Sequence, residues 1–202
     1  MKHLISSVVL FFVLSTACCQ SKISYGINAG YTNAGSLVSN KRTHSYSFRS
    51  ISGVTAGLFL EIPLVGGLSI QPEVNFTQNG MEAKHALENN WTTYRRNAID
   101  IPLNIAYNVT IGEGRIYLAA SPYYGIQMSV NNNDGKFYDA STNPSDYGLG
   151  FNLGYKWNGG YGLFIGSNYG LKDMSVNESV KLYNRTLNVG MRFDLRQIVK
   201  NK

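Results

Sequence analysis

The sequence predicts an all-β fold: an eight-stranded antiparallel up-and-down transmembrane β-barrel preceded by a signal peptide. Three observations carry that prediction. Side chains alternate apolar and polar with period two in eight segments, longer than the five or six residues usual in soluble strands. The connections between these segments are short and long in strict turn. Charged residues make up only 15% of the chain, low for a soluble secreted globule, while Gly (21) and Tyr (14) are abundant.

The leader comes first. Met1, Lys2 and His3 precede an apolar run from Leu4 to Leu14, followed by the small residues Ser15, Thr16 and Ala17. This run falls short of the roughly 20 residues of a spanning helix and has the build of a secretory signal. Residues 1–19 are therefore expected to be the signal peptide and residues 20–202 the barrel domain. Cleavage after Cys19 leaves a mature chain without thiols, so disulfides are not expected. Lipidation of Cys18 is the competing outcome, because Ser15 to Cys18 half resembles a lipoprotein cleavage box.

The strands follow in order. Lys22 to Tyr31 sets Ile23, Tyr25, Ile27 and Tyr31 against Ser24, Gly26, Asn28 and Gly30. Ile51 to Leu64 sets Val54, Leu58, Leu60 and Ile62 against Thr55, Gly57 and Glu61, and Leu68 to Gln78 sets Ile70, Val74 and Phe76 against Gln71, Glu73 and Asn75. Tyr94 to Val109 and Arg115 to Val130 carry Ile99, Leu103, Ile105, Leu118, Tyr124 and Met128 opposite Asp100, Asn104, Tyr117, Ser121 and Tyr123. Tyr147 to Trp157 alternates most cleanly, with Leu149, Phe151, Leu153 and Tyr155 against Gly148, Gly150, Asn152, Gly154 and Lys156. Tyr161 to Lys172 and Asn184 to Leu195 complete the set. Val65 to Gly67, Thr110 to Gly114 and Asn158 to Gly160 have tight-turn chemistry. Thr32 to Ser50, Asn79 to Thr93, Asn131 to Asp146 and Asp173 to Tyr183 are expected as long loops. In bacterial barrels the short turns and both termini face the periplasm and the long loops face outward.

The polar face decides between a membrane barrel and a soluble lipocalin-like carrier, whose apolar face would point inward. Here it consists of Gly, Ser, Asn and Ala with isolated charges, which suits a crowded lumen better than a water-facing wall. Tyr25, Tyr31, Tyr94, Tyr124, Tyr147, Tyr155, Trp157, Tyr161 and Tyr169 fall near strand ends, as interfacial aromatic girdles do. Eight strands enclose space that side chains fill, so inward charges must pair. Glu61, Glu73 and Asp100 come from strands two to four, and Lys156, Lys172 and Arg192 from strands six to eight. An ion-pair network of Glu61, Glu73, Lys156 and Arg192 is expected in the periplasmic half, with Asp100 nearer mid-height and Lys172 near the outer rim.

No catalytic, cofactor or metal site is expected. His44 and His85, with Ser45, Ser47, Glu82, Glu88 or Asp146, are the residues from which a rim enzyme would draw a base and its orienter. Two lone histidines without a mature thiol build no familiar zinc site. Expected partners are outer-membrane lipid, lipopolysaccharide, the barrel-insertion machinery and an unnamed envelope or secretion protein. The Lys41-Arg42 and Arg95-Arg96 pairs are candidates for lipopolysaccharide phosphates. The net charge of +6 carries no basic run, so nucleic acid is not expected.

Leu68 to Gly80 and Ile99 to Tyr107 resemble the PorT-like outer-membrane β-barrel family, as do Ala119 to Gly125, the Gly-rich sixth and seventh strands and Asn184 to Gly190. The resemblance implies a membrane barrel with an outer-membrane address and no catalytic site. It also implies an association with gliding and protein secretion for the name-giving members. The tail from Asp194 to Lys202 departs from that pattern, because the insertion signal of such barrels lies at or very near the C-terminus.

Overall fold

Eight strands run β1 (Ser24–Ser39), β2 (Tyr46–Pro63), β3 (Leu68–His85), β4 (Thr92–Ile111), β5 (Gly114–Asn132), β6 (Ser145–Trp157), β7 (Tyr161–Gly170) and β8 (Lys181–Asp194). Each pairs antiparallel with its sequence neighbours, and β1 pairs with β8 from Gly26↔Asp194 to Ser39↔Lys181, which closes the barrel. The computed structural model describes residues 23–39, 46–85, 89–132, 144–174 and 181–200. Residues 1–22, with Cys18 and Cys19, and Lys41, Arg42, His44, Ser45 and Glu88 lie outside the described residues.

The alternation read from the sequence becomes the two faces of the wall. Leu58 (64% exposed), Leu118 (62%) and Ile105 (56%) point outward, whereas Thr32, Asn104 and Ser121 are fully buried in the lumen. Gly112 takes φ 60° in the β4–β5 turn, where a side chain would be strained. The 3-10 turn Val65–Gly67 joins β2 to β3. At the same end a short helix, α1 (Leu195–Lys200), follows β8 and packs beside β1, with the Arg196 guanidinium donating to the Ile23 carbonyl. The Asp194 carboxylate accepts the Gln197 N–H at 3.1 Å and caps this helix. Both the start of β1 and the end of β8 therefore lie at the short-turn end.

Two expectations are corrected. Strands β1 and β3 run on to Ser39 and His85, and β2 and β4 begin at Tyr46 and Thr92, so much of the first two expected long loops is hydrogen-bonded strand. The apolar outer set stops near Tyr31, Phe76 and Ile99, but ladder hydrogen bonding continues where polar residues face outward. Tyr94 shares the parity of Ala98 and Asp100 and lines the interior instead of an outer girdle. Two register shifts, between Ser50 and Thr55 against β3 and between Asn97 and Ala98 against β5, mark the level where the wall changes character. The remaining outward aromatics include Trp157, which stacks on Tyr161 at 5.2 Å and meets the edge of Tyr155 at 4.8 Å.

Candidate functional site

Among the described residues, many polar groups converge away from water in the lumen, and each arrives there by strand parity. At the short-turn end, β6 carries Lys156 inward between two carboxylates: its ammonium lies 2.9 Å from Glu61 on β2 and 2.6 Å from Asp194 at the end of β8. Arg115 on β5 approaches Glu61 at 3.9 Å. Asp194 thus holds the lumen lysine with one oxygen and caps α1 with the other.

The next tier centres on Glu73. Its Oε1 accepts Arg192 at 2.7 Å and Asn104 at 2.8 Å, and its Oε2 accepts Asn75 at 3.0 Å and Asn28 at 3.3 Å. Four donors on one carboxylate satisfy a charge that burial would otherwise disfavour by several kcal/mol. Arg192 also donates to Gln71 (3.0 Å) and to the Tyr117 hydroxyl (3.3 Å), and its guanidinium lies 4.1 Å from the Phe59 ring. Gly154 makes room for this arrangement, because a Cβ there would stand 2.4 Å from the Tyr117 ring. Asn152 extends the network to Asn104 at 2.9 Å. Between these tiers two cavities measure about 20 and 40 Å³, space for single waters and not for a pore, and a cavity of about 370 Å³ opens beside Glu61, Arg115 and Arg196 at the short-turn end.

Above lies a third, less complete tier. Asp146 is buried and accepts the Tyr123 hydroxyl at 2.9 Å and Asn184 at 3.2 Å. Arg96 on β4 donates through Nε to Asn79 at 2.7 Å, and its Nη2 stands 4.0 Å from Asp146. Asp100, below Arg96 on the same strand, keeps one buried oxygen without a hydrogen-bond partner.

The structure therefore brings together Glu61 with Lys156, and Glu73 with Arg192, as two separate pairs, and it leaves Asp100 outside both. Lys172 donates to Ser145 at 2.6 Å. Two charged residues that the sequence reading places elsewhere lie in the lumen. Asp146 was assigned to a loop near the histidines and Arg96 to a lipopolysaccharide-facing pair, yet both point inward, so neither serves at the outer surface. Asp146 is one parity step before Gly148 and Arg96 two before Asp100, so carrying the alternation that far back places both inward. Asp194, within the last expected strand Asn184 to Leu195, is given no partner by the sequence reading and here pairs with Lys156. Arg95 is exposed, as is Ser47, and Glu82 accepts the Thr93 hydroxyl at 3.2 Å. His85 ends β3.

A closed antiparallel barrel with an apolar outer belt and a polar, filled interior is the arrangement that lipid outside demands. Residues 17–176 match the family model described as outer membrane protein beta-barrel domain. The chain belongs to that family. It is an integral β-barrel of the bacterial outer membrane. Among solved structures it is similar to Neisserial surface protein A, with 17% identity over 87% of this chain and 100% of that one and a TM-score of 0.52. It is also similar to the outer membrane protein OprG from Pseudomonas aeruginosa, with 12% identity over 84% of this chain and 94% of that one and a TM-score of 0.53. At these identities the likeness is one of fold. No curated protein matches the sequence.

Proposed function

We propose that this outer-membrane barrel is a non-conducting, non-enzymatic element that presents its long-connection end to the outside while both termini stay on the periplasmic side. The filled lumen carries this reading. Lys156 between Glu61 and Asp194, and Arg192 on Glu73, block the path that a channel would need to keep open. A lumen so occupied gives the strands a rigid frame, and specificity then belongs to the outer end, where strands β1 to β5 outrun the apolar belt. Exposed Arg95 is a contact for lipopolysaccharide phosphate there. The PorT-like segments Leu68 to Gly80 and Ile99 to Tyr107 support, as a finer reading, an accessory place beside a secretion or envelope assembly.

Two measurements test this. Purified protein in planar bilayers should show no stable single-channel steps, and steady conductance would overturn the plug. Ser47→Cys, on the exposed outer part of β2, should react with a membrane-impermeant maleimide on intact cells. Asn158→Cys, in the β6–β7 turn, should react only after the outer membrane is permeabilised, with the parent chain as background. The opposite pattern would reverse the orientation.

A further inference from the structure

The barrel inverts its polarity along its length. Below the register shifts the wall is apolar outside and polar inside, but above them the outer face carries Ser50, Arg95 and Asn131, all exposed. There Ile51 (6% exposed) and Val130 (8%) turn inward, and Met174 (6%), in the connection after β7, is buried against Arg96. These apolar residues do not meet in a packed core. Met81, Ala83, Tyr94, Val130, Met174 and Leu182 surround a cavity of about 280 Å³, close to the lower limit of about 300 Å³ for small-molecule pockets.

The deeper end of this cavity is polar and donor-rich. Arg96 and Asn79 pair across β3 and β4, and both lie further from the long-connection end than Met81, Ala83 and Tyr94. The guanidinium is incompletely matched: Nη1 lies 2.7 Å from the Met174 thioether, a weak acceptor, and Nη2 stands 4.0 Å from Asp146. The Asn79 amide nitrogen, on a side chain 1% exposed, has no hydrogen-bond partner. Buried donors without good acceptors are costly, and an entering oxygen would satisfy both.

Charge narrows the choice of that oxygen. Asp146 already faces Arg96 from the lumen side, and Asp100 lies below it on the same strand, so a ligand carboxylate would add a third acid to a site with one cation. We infer that the outer end of the barrel binds a small uncharged amphiphile, its alkyl chain among Met81, Val130, Met174 and Leu182 and its carbonyl oxygen on Arg96 and Asn79. The Met174 thioether gives up its contact with Arg96 to the stronger acceptor. The site is separate from the ion-paired tiers below, so it stands or falls independently of the plug and of the orientation.

The test is calorimetric titration of the full barrel in lipid nanodiscs with octanamide, with empty nanodiscs as the blank for partitioning into the bilayer. Val130→Trp and Ala83→Phe fill the cavity from two sides, and heat-modifiable mobility on gels establishes which of them fold. Saturable binding above the blank, weakened about tenfold or more in a folded filled variant, is the expected result. Equal isotherms for the parent and a folded filled variant, or no parent signal above the blank, would overturn the pocket. Tighter binding of octanoate than of octanamide would overturn the uncharged head group.

Discussion

The two ends of the barrel interior are built from the same alternating strands yet solve opposite problems. In the lower lumen, lipid lies outside the wall, so apolar side chains such as Leu58 and Leu118 turn out and every inward charge must find its counterpart within the barrel. At the long-connection end polar residues such as Ser50 and Arg95 turn out, as water around the wall would require, and Ile51 and Val130 turn in. The lower lumen is full and charge-paired. The upper one holds a cavity and an arginine with poor acceptors. An alternating strand thus fixes only that its two faces differ; the medium around it decides which face goes inside.

The sharpest way to break this contrast is to unpair a charge in the lower lumen. Arg192→Leu leaves Glu73 with amide donors only, and breaking a buried pair from one side costs about 3–5 kcal/mol. Urea titration in lipid vesicles, followed by heat-modifiable mobility, should show that loss, and Arg192→Leu with Glu73→Gln should recover most of it. A single variant as stable as the parent would mean that packing of Phe59 and Tyr117, and not charge pairing, holds this tier.

The outer face offers a second, somewhat smaller test. An arginine facing lipid near the middle of the membrane costs about 2–4 kcal/mol, and one near the interface about 0–1 kcal/mol. Leu58→Arg should fall in the first range and Ser50→Arg, on the same strand beyond the register shift, in the second. Equal losses in the same urea assay would place the membrane boundary higher on the wall than the polarity inversion does.

Most of the fold was legible in the sequence because period-two alternation and turn chemistry are local signals. All eight strands fall where alternation put them, and Gly66, Gly112 and Gly160 stand in the short turns. The upper parts of β1 to β3 were not legible as strand. There the apolar set switches faces across a register shift, so the pattern around Ser50 reads as loop. The candidate site divides similarly. Glu61, Glu73, Lys156 and Arg192 lie inside long clean segments, and parity alone turns them inward. Which of them pair depends on strand tilt and on distances across the barrel, which carry no local trace. Arg96 and Asp146 sit just beyond where the apolar set ends, and their inward direction depends on the ladder continuing past it.

The smallest expected effect discriminates between a cavity and a core. Removing a buried aliphatic side chain from a packed interior costs its transfer free energy and leaves a void. Val130 already borders open space on its inner side, so its methyl groups lack the full set of neighbours that a packed site provides. Val130→Ala should therefore destabilise the barrel by about 1 kcal/mol or less in the urea assay. A loss of about 2 kcal/mol or more would mean that Val130 is packed on its inner side. The outer end would then be a second filled lumen, apolar where the first is charged, with no room for a ligand.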